Sequence, residues 1–265
     1  MDTPDVEAYL NRVGMPAAST PDDPTLIELH ERHLMTVPFE NLDFHYGTSI
    51  ALGQAALEKV VLRWRGGTCR ELNGSTFADL LRALGYPVTL LASRVHGDGG
   101  PGTALGHTVI RVDGEVPWLV DVGFGRGSRY PLRMDLRTEQ KDPHGTFILV
   151  EAPHGDLDLL CDGKPVYRIE TRPRELEDFL PVLWWYQNSP DSPFVRHQFC
   201  SLVTDSGRVT LSGDVLIRTE NGHRNKYWLK DEDEVRDAYR DYFNMTLDRL
   251  PPHPEAGVEG MLSAP

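Results

Sequence analysis

Residues 63–87 read RWRGGTCRELNGSTFADLLRALGYP, and this stretch separates two kinds of hydrophobic pattern in the chain. After Cys69 the apolar residues recur at helical spacing, and the pattern stops at Gly85, with Pro87 just beyond it. The apolar positions are Leu72, Phe77, Leu80, Leu81 and Leu84. We therefore predict a short helix that begins at or beside Cys69.

The residues before this helix are also predicted to be mainly helical. Asp22 and Thr25 offer capping side chains, and the segment TLIELHERHLMTVPF places apolar residues near helical spacing before Pro38. From Val88 onward the apolar residues alternate or form continuous runs, which predicts sheet. These runs are VTLLASRV, HTVIRV, VPWLVDVGF, TFILVEA and LDLLC. The last part of the chain mixes strands with a charged helical segment, DEDEVRDAYRDYFNM.

Length and composition predict a globular protein without a nucleic-acid partner. The 265 residues are 40% hydrophobic, and 40 acidic against 27 basic residues give a formal charge of −13, which repels a phosphate backbone. The start, MDTPDVEAYLNRVG, carries acids where a signal peptide carries basic residues, and no stretch reaches the length of a membrane span. We expect no membrane partner and a cytoplasmic location.

The cysteines and histidines predict neither a disulfide framework nor a metal site. Cys69, Cys161 and Cys200 are few and widely spaced, and none forms a CxxC pair, so at least one is expected to stay a free thiol. Cys161 and Cys200 are expected in buried strands. His30 and His33 can share a helix face, but they lack nearby carboxylate or thiolate partners, so we predict no metal.

Cys69 is the candidate nucleophile. Gly66 and Gly67 let the backbone turn sharply just before it, and the predicted helix aims its free N–H groups at the sulfur. The positive end of a helix dipole lowers the pKa of a cysteine, and the same N–H groups can hold an oxyanion. A cysteine that opens a helix can also be a small buried hydrophobe, so this segment alone leaves both interpretations open.

His107 and Asp121 lie on two predicted strands that flank the sequence DGE at 113–115. If those three residues form the hairpin loop, Val112 lies opposite Val116, and His107 falls directly across from Asp121 on the same face. The other face then carries the apolar residues Ile110, Val112, Val116, Trp118 and Val120. This register predicts a histidine paired with a carboxylate.

A two-residue turn would instead pair His107 with Val120 and put Asp121 on the wrong face. With the longer loop, the carboxylate fixes the imidazole tautomer and stabilises its charged form. The other ring nitrogen is then free to take a proton from a thiol. The three residues therefore form a candidate Cys-His-Asp triad, with Cys69 as its third member.

Five segments follow one another along the chain: PFENLD at 38–43, RGGTCREL at 65–72, HTVIRV at 107–112, LVDVGFG at 119–125 and NSPDSPF at 188–194. These segments and their order resemble the arylamine N-acetyltransferase family. The resemblance implies an α+β fold with a papain-like Cys-His-Asp core. It implies a helical N-terminal domain over residues 1–87, a β-barrel domain over 88–186 and an α/β lid over 187–265.

The resemblance also implies ping-pong acyl transfer. Acetyl-CoA donates its acetyl group to Cys69 as a thioester, and an arylamine or hydrazine then attacks the acyl-enzyme while His107, supported by Asp121, moves the protons. The coenzyme is a co-substrate, and neither ATP nor a metal is needed. Thr103 and Ala104 resemble the stretch that contacts CoA in relatives, and Arg126 and Arg129 can meet its phosphates. A solvated loop with surface arginines is the alternative.

The predicted substrate pocket combines matches to the family with departures from it. Phe39, Phe124 and Phe194 match family positions near the acceptor, although they can also be core residues. Thr68 and Arg70 flank the nucleophile, where family members carry mostly aromatic or aliphatic residues. The guanidinium either lowers the pKa of the thiol or binds an acidic substrate group, or it forms an outward salt bridge to Asp79 or Glu71.

Two other functions remain open at this point. Relatives of the family act as amide synthases, which close a macrolactam from a polyketide thioester held by an acyl carrier protein. A protein that has lost turnover and only binds CoA or an aromatic ligand is the second alternative. The complete set of Cys69, His107 and Asp121 argues against the latter.

Overall fold

Short helices make up most of the N-terminal part of the chain, as the sequence predicts. The structure is a computed structural model that describes residues 1–16, 20–50 and 52–252. Asp22 caps the second helix by accepting a hydrogen bond from the Thr25 N–H at 2.9 Å. The elements are α1 (Thr3–Arg12), α2 (Asp23–Thr36), β1 (Phe39–Glu40), α3 (Leu42–Tyr46), α4 (Gln54–Leu57) and a π-helical turn (Glu58–Leu62).

The predicted helix after Cys69 is present, and its first part is π-helical. The π-helical segment spans Arg70–Phe77 and continues as α5 (Ala78–Ala83), with Gly85 in the left-handed region at φ 95°. The hydroxyls of Ser75 and Thr76 donate to backbone carbonyls of the preceding turn, at 3.1 and 3.0 Å. Wide turns of this kind are rare and occur frequently at functional sites.

An antiparallel sheet of nine strands follows and coils into a nearly closed barrel. Its order is β6-β5-β4-β2-β10-β9-β8-β7, with β3 paired to β2. The strands are β2 (Val88–Gly97), β3 (Gly100–Pro101), β4 (His107–Asp113), β5 (Pro117–Val120), β6 (Leu132–Arg133), β7 (Gln140–Asp142), β8 (Gly145–Glu151), β9 (Leu157–Cys161) and β10 (Lys164–Arg174). A single 3₁₀ turn at Pro153–Gly155 joins β8 to β9. The expected change from helix to sheet at Val88 is confirmed.

A second sheet joins the end of the chain to its beginning. Its order is β1-β11-β12-β13-β14, so the short β1 from the N-terminal part pairs with β11. The C-terminal elements are a 3₁₀ turn (Leu176–Phe179), α6 (Leu180–Asn188), α7 (Pro193–Arg196), β11 (Cys200–Thr204), β12 (Gly207–Ser212), β13 (Val215–Glu220), β14 (His223–Trp228) and α8 (Glu232–Phe243).

The α+β architecture is confirmed, while the domain boundaries at residues 87 and 186 stay a prediction. Residues 253–265 of the predicted lid lie outside the described residues. In the ranges that the structure does describe, every helix is too short or too polar to cross a membrane.

The predicted register of the hairpin formed by β4 and β5 is wrong by two residues. Val112 lies opposite Trp118 rather than Val116, and Asp113 pairs with Pro117, so the loop is 114–116. Asp113 stays in the strand because its N–H donates to the carbonyl of Pro87, next to β2, at 3.0 Å. A shift of two keeps every side chain on its own face, so the apolar side remains the one predicted.

This apolar face packs the hairpin against the helix after Cys69. Ile110, Val112 and Val120 are buried in the same hydrophobic cluster as Leu72 and Leu80. Removal of these side chains from water provides most of the free energy that holds the helix on the sheet. The packing brings the start of the helix to the ends of β4 and β5, where the candidate site lies.

Candidate active site

The segment before Cys69 lies against the PFENLD segment. Phe39 forms a parallel bridge with Gly67, and the Glu40 N–H donates to the Gly67 carbonyl at 3.0 Å. A side chain at Gly66 would put its Cβ 2.0 Å from the carbonyl oxygen of Pro38. Glycine is therefore required here because two backbone segments approach closely, and this approach fixes where Cys69 emerges.

Five buried or nearly buried charged residues hold this segment in place, and we call them the ion cluster: Glu40, Asp43, Lys59, Arg65 and Glu71. Lys59 lies 2.7 Å from carboxylates of both Asp43 and Glu71. The other Glu71 oxygen accepts from the Thr68 N–H at 2.8 Å and from its hydroxyl at 3.1 Å. Thr68 is consequently buried and bonded to Glu71, so its side chain supports the turn instead of facing a substrate pocket.

His107 and Asp121 meet at the open end of the hairpin. The imidazole Nε2 lies 2.8 Å from Asp121 Oδ2, and both side chains are buried. Asp121 follows the last residue of β5, so it reaches His107 diagonally across the same face. The imidazole is also hydrogen-bonded to Cys69, which leaves Nδ1 as the nitrogen that faces the thiol. The structure thus brings the three predicted residues together.

Four donors surround the Asp121 carboxylate. Besides His107, the Tyr167 hydroxyl donates to Oδ2 at 3.0 Å, and Asn73 Nδ2 and the Gly123 N–H donate to Oδ1 at 2.7 and 3.1 Å. Burial by itself raises the pKa of Asp121, but the charge of His107 and these hydrogen bonds outweigh burial and place the pKa below its usual value. Asp121 is therefore an ionised acceptor.

Asn73 and Tyr167 were not found from the sequence. Asn73 also donates to the Thr108 carbonyl at 2.7 Å and accepts from the Val122 N–H at 2.8 Å, so its carboxamide connects the helix to both strands of the hairpin. Its signal in the sequence is a polar amide four residues after Cys69, one helical turn from the nucleophile. Tyr167 comes from β10, and no local pattern relates it to Asp121.

His30 and His33 are fully buried and take part in hydrogen bonds instead of metal binding. His30 Nε2 accepts from the Asp121 N–H at 3.2 Å, while Nδ1 lies 3.0 Å from the Arg129 carbonyl. His33 Nδ1 lies 2.9 Å from the Tyr9 hydroxyl. Within the described residues, no three His, Cys, Asp or Glu side chains are grouped as a metal site would need.

The charges around Cys69 favour a thiolate. Burial alone raises the pKa of its thiol, but the charges of Arg70 and then His107, with hydrogen bonds from His107 and the Thr108 N–H, bring the pKa below its usual value. Burial likewise lowers the pKa of His107, whereas the charges of Asp121 and Cys69 raise it to about 10. Both shifts favour the thiolate–imidazolium form of the pair over the neutral form.

Arg70 is turned toward the sulfur and does not form the outward salt bridge that is one of its expected roles. Its Nη1 lies 3.6 Å from Cys69 Sγ, and the side chain is 0% exposed. Asp79 pairs with Arg82 instead, and Glu71 with Lys59. The interpretation in which the guanidinium acts on the thiol agrees with this position.

The three predicted pocket phenylalanines occupy two different places, and all are partly buried. The ring of Phe124 lies 5.1 Å from the imidazole of His107, centroid to centroid. Phe39 and Phe194 both pack against Phe199, at 5.3 and 5.8 Å. Phe124 is therefore the aromatic residue beside the reacting groups, and the other two form the wall of an adjoining aromatic cluster.

The residues predicted to bind CoA lie at the surface around the site. Thr103 and Ala104 are exposed in the loop that leads into β4. Thr103 also lines a groove of about 460 Å³ between this loop and α6. Arg126 is exposed, with its guanidinium 6.0 Å from the Phe124 ring, whereas Arg129 is paired with Glu31 at 2.6 Å. Arg126 is thus the better placed of the two for an anion.

Comparison with known proteins agrees with this arrangement. A family model described as N-acetyltransferase matches residues 23–250. Arylamine N-acetyltransferase of Mycolicibacterium smegmatis is 32% identical over 262 residues, which cover 93% of this chain and 94% of that protein. Human arylamine N-acetyltransferase 1 is 30% identical, with 94% and 97% covered. The chain belongs to the arylamine N-acetyltransferase family.

Solved structures of arylamine N-acetyltransferases have the same fold. The enzyme of Salmonella typhimurium superposes with a TM-score of 0.85 at 28% identity, and the match covers 96% of this chain and 95% of that one. The enzyme of Mycobacterium marinum in complex with CoA gives 0.84 at 31% identity, with 91% and 92% covered. The resemblance inferred from five short segments is thereby confirmed over nearly the whole chain.

Proposed function

We propose that this protein transfers an acetyl group from acetyl-CoA, through a thioester on Cys69, to an arylamine or hydrazine. Membership of the arylamine N-acetyltransferase family supports the reaction class. The observation that carries the mechanism is a buried thiol hydrogen-bonded to an imidazole, whose Nε2 lies 2.8 Å from an ionised carboxylate. These are the parts of a nucleophile, a base and an orienting group.

In the first half-reaction the Cys69 thiolate attacks the carbonyl carbon of the acetyl thioester. The backbone N–H groups of Glu71 and Leu72 donate to the Thr68 carbonyl, so the N–H groups ahead of them at the start of the helix receive the oxyanion. The bond to the CoA sulfur then breaks, and His107 Nδ1 gives its proton to the leaving thiolate. Asp121 keeps Nε2–H hydrogen-bonded throughout, so Nδ1 stays aimed at the sulfur.

In the second half-reaction the amine attacks the acetyl thioester on Cys69. Neutral His107 takes a proton from the attacking nitrogen, the thiolate of Cys69 leaves, and the imidazolium and thiolate are restored. Exchange between two thiols is nearly isoenergetic and amide formation is downhill, so the cycle needs neither ATP nor a metal. Phe124, which lies beside the imidazole, is placed to contact the aromatic ring of the amine.

The CoA site is proposed at the loop with Thr103 and Ala104 and at Arg126. Arg126 and Arg208 of β12 lie near enough for their charges to repel, because the charge of Arg126 adds to burial in lowering the pKa of Arg208 to about 10. Among the described residues no carboxylate pairs with either guanidinium within 4.0 Å. Two adjacent unpaired cations on a chain of charge −13 suit a phosphate ligand.

The test is intact-protein mass spectrometry with acetyl-CoA alone. We expect one acetyl group on Cys69, one equivalent of free CoA, and loss of the acetyl group when an aminosalicylate or aniline is added. Cys161→Ala should behave like the wild type and Cys69→Ala should gain nothing. Acylation only by a long synthetic acyl thioester would favour the amide synthase, and no acylation by any activated thioester would leave a binding protein.

A further inference from the structure

Arg70 is a fully buried cation without a carboxylate partner. Its side chain is 0% exposed. No Asp or Glu oxygen among the residues that the structure describes lies within 4.0 Å of its guanidinium nitrogens. Burial of an uncompensated charge is costly, so buried arginines are normally paired. Some other group must therefore balance the charge of this guanidinium.

The guanidinium is held by neutral groups on three sides and meets sulfur on the fourth. Nη2 donates to the carbonyls of Leu105 and Gly106, at 2.9 and 3.1 Å. The Tyr186 ring lies 4.9 Å from Cζ, and Nε has no hydrogen-bond partner in the part of the chain that the structure describes. Nη1 lies 3.6 Å from Cys69 Sγ, and among the described residues this sulfur is the only hydrogen-bond partner of the guanidinium that can carry a negative charge.

The charges of the site balance only when Arg70 is counted. In the thiolate–imidazolium form, the sulfur and Asp121 carry two negative charges, and the imidazolium and guanidinium carry two positive ones. In the acyl-enzyme Cys69 is neutral and His107 has given up its proton, so Asp121 and Arg70 remain and balance each other. Without the guanidinium both states would hold an uncompensated negative charge in a buried site.

Resting on the proposed thioester chemistry, we infer that Arg70 is a catalytic residue that acts as counter-ion of the Cys69 thiolate. It stabilises the sulfur anion before attack on the donor and again when the amine expels it from the acyl-enzyme. Its bonds to the carbonyls of Leu105 and Gly106 hold the guanidinium in place and tie the start of the helix to the residues before His107.

Other groups near the sulfur do not duplicate this charge. Tyr186 from α6 has its pKa raised by burial and stays neutral, and Glu71 on the helix is paired with Lys59. His107 from β4 is cationic at rest, but it must lose and regain its proton in each cycle, with Asp121 behind it. Arg70 is therefore the permanent positive charge at the sulfur.

The test is the pH profile of alkylation of Cys69 by iodoacetamide, in proteins that also carry Cys161→Ala. Arg70→Met should move the midpoint upward by about 1–3 pH units, the usual effect of one opposite charge at contact distance. Arg70→Lys keeps the positive charge but not the planar set of N–H donors, so its alkylation midpoint should lie close to that of the wild type. Circular dichroism and thermal unfolding establish that each variant is folded.

Single-turnover kinetics separate this role from a purely structural one. Acetylation of Arg70→Met should be slow at neutral pH and recover as pH rises through the displaced midpoint, whereas a packing defect would slow the reaction at every pH. An unchanged midpoint in a folded Arg70→Met protein overturns the inference. If Arg70→Met fails to fold, Arg70→Lys provides the test. An Arg70→Lys midpoint equal to that of the wild type supports the inference. An Arg70→Lys midpoint about 1–3 pH units higher, as expected for a neutral residue, overturns it.

Failure of the proposed function would look different. If the wild type forms no acetyl-enzyme yet its alkylation midpoint depends on the charge at residue 70, the counter-ion assignment stands and the acetyl transfer does not. If the acetyl-enzyme forms and the alkylation midpoint does not depend on the charge at residue 70, the proposed function stands and the counter-ion assignment does not.

Discussion

Two neighbouring groups of buried charges differ in how their cations are paired. In the ion cluster, Lys59 and Arg65 make contacts of 2.7–3.0 Å with three carboxylates. The second group surrounds the nucleophile, and we call it the thiol site. Its charged members are Cys69, Arg70, His107 and Asp121. There the guanidinium has sulfur as its only anionic neighbour among the described residues.

The difference follows from what each group has to do. The carboxylates of the ion cluster are bound to Lys59 and Arg65, so the cluster holds the RGGTC segment in one position. A sulfur that alternates between thiolate and thioester must change its charge in every cycle. A guanidinium paired with a carboxylate could not balance the changing charge of the sulfur. Arg70 therefore lies against Cys69, the group whose charge changes.

Asp121→Asn should break the thiol site most severely. The imidazolium loses its counter-charge, its pKa falls, and the hydrogen bond that aims Nδ1 at the sulfur is weakened. We expect kcat/KM for acetylation of an arylamine to fall by about 10³-fold or more. Asp113→Asn, at the exposed end of the same hairpin, is the matched control and should stay near wild type. An Asp121→Asn enzyme with a tenth of normal activity would show that the carboxylate is dispensable.

Lys59→Met should break the ion cluster without touching the sulfur. Glu71 would lose its ion-pair partner, and Glu40 and Asp43 would keep only Arg65, which should cost about 3–5 kcal/mol of unfolding free energy. The melting temperature should fall by roughly 6–20 °C. Arg63→Met removes an exposed ion pair with Glu58 and should cost no more than about 1 kcal/mol. Equal losses in the two variants would mean that the buried pairing contributes nothing special.

Cys69 and Cys161 test the comparison through the pH dependence of their alkylation. The pKa of Cys69 is lowered, so its thiolate persists above that value and alkylation should slow only as pH falls through it. Burial and Asp162 raise the pKa of Cys161 to about 11, so its alkylation should begin only as pH rises toward that value. At pH 7 we expect Cys69 to react at least about 100-fold faster, by peptide mass spectrometry. Similar rates would remove the case for a stabilised thiolate.

Tyr167→Phe should have the smallest effect. It removes one of the four donors to Asp121 and leaves the other three, so kcat/KM should fall by about 10-fold, as for one hydrogen bond to a charged group. The equally buried Tyr239 of α8 serves as a control, and Tyr239→Phe should keep full activity. If both variants lose the same activity, general loosening of the fold is the cause.

The sequence predicted what depends on local pattern. The helix at Cys69, the sheet from Val88 and the meeting of Cys69, His107 and Asp121 all follow from periodicity and short motifs. The register error of the hairpin has a physical reason, because a shift of two residues leaves both faces unchanged. Alternation of apolar and polar residues cannot distinguish such registers.

Long-range contacts could not be predicted in this way. Tyr167 reaches Asp121 from a strand on the other side of β2, and no spacing in the sequence connects them. The direction of Arg70 depends on where the carbonyls of Leu105 and Gly106 lie and on the π-helical start of its helix. All of the expected roles of Arg70 fit the sequence equally well, because the sequence does not show those positions.

The three hydrogen bonds of Asn73 limit how the active site can respond to a substrate. The Asn73 amide connects the helix that follows Cys69 to the strands that lead to His107 and Asp121, so these elements move together. Room for ligands of different size must come from the rim, such as the groove of about 460 Å³ between the loop with Thr103 and α6. Adaptation to new amines would then change residues at the rim and leave the relative positions of Cys69, His107 and Asp121 unchanged.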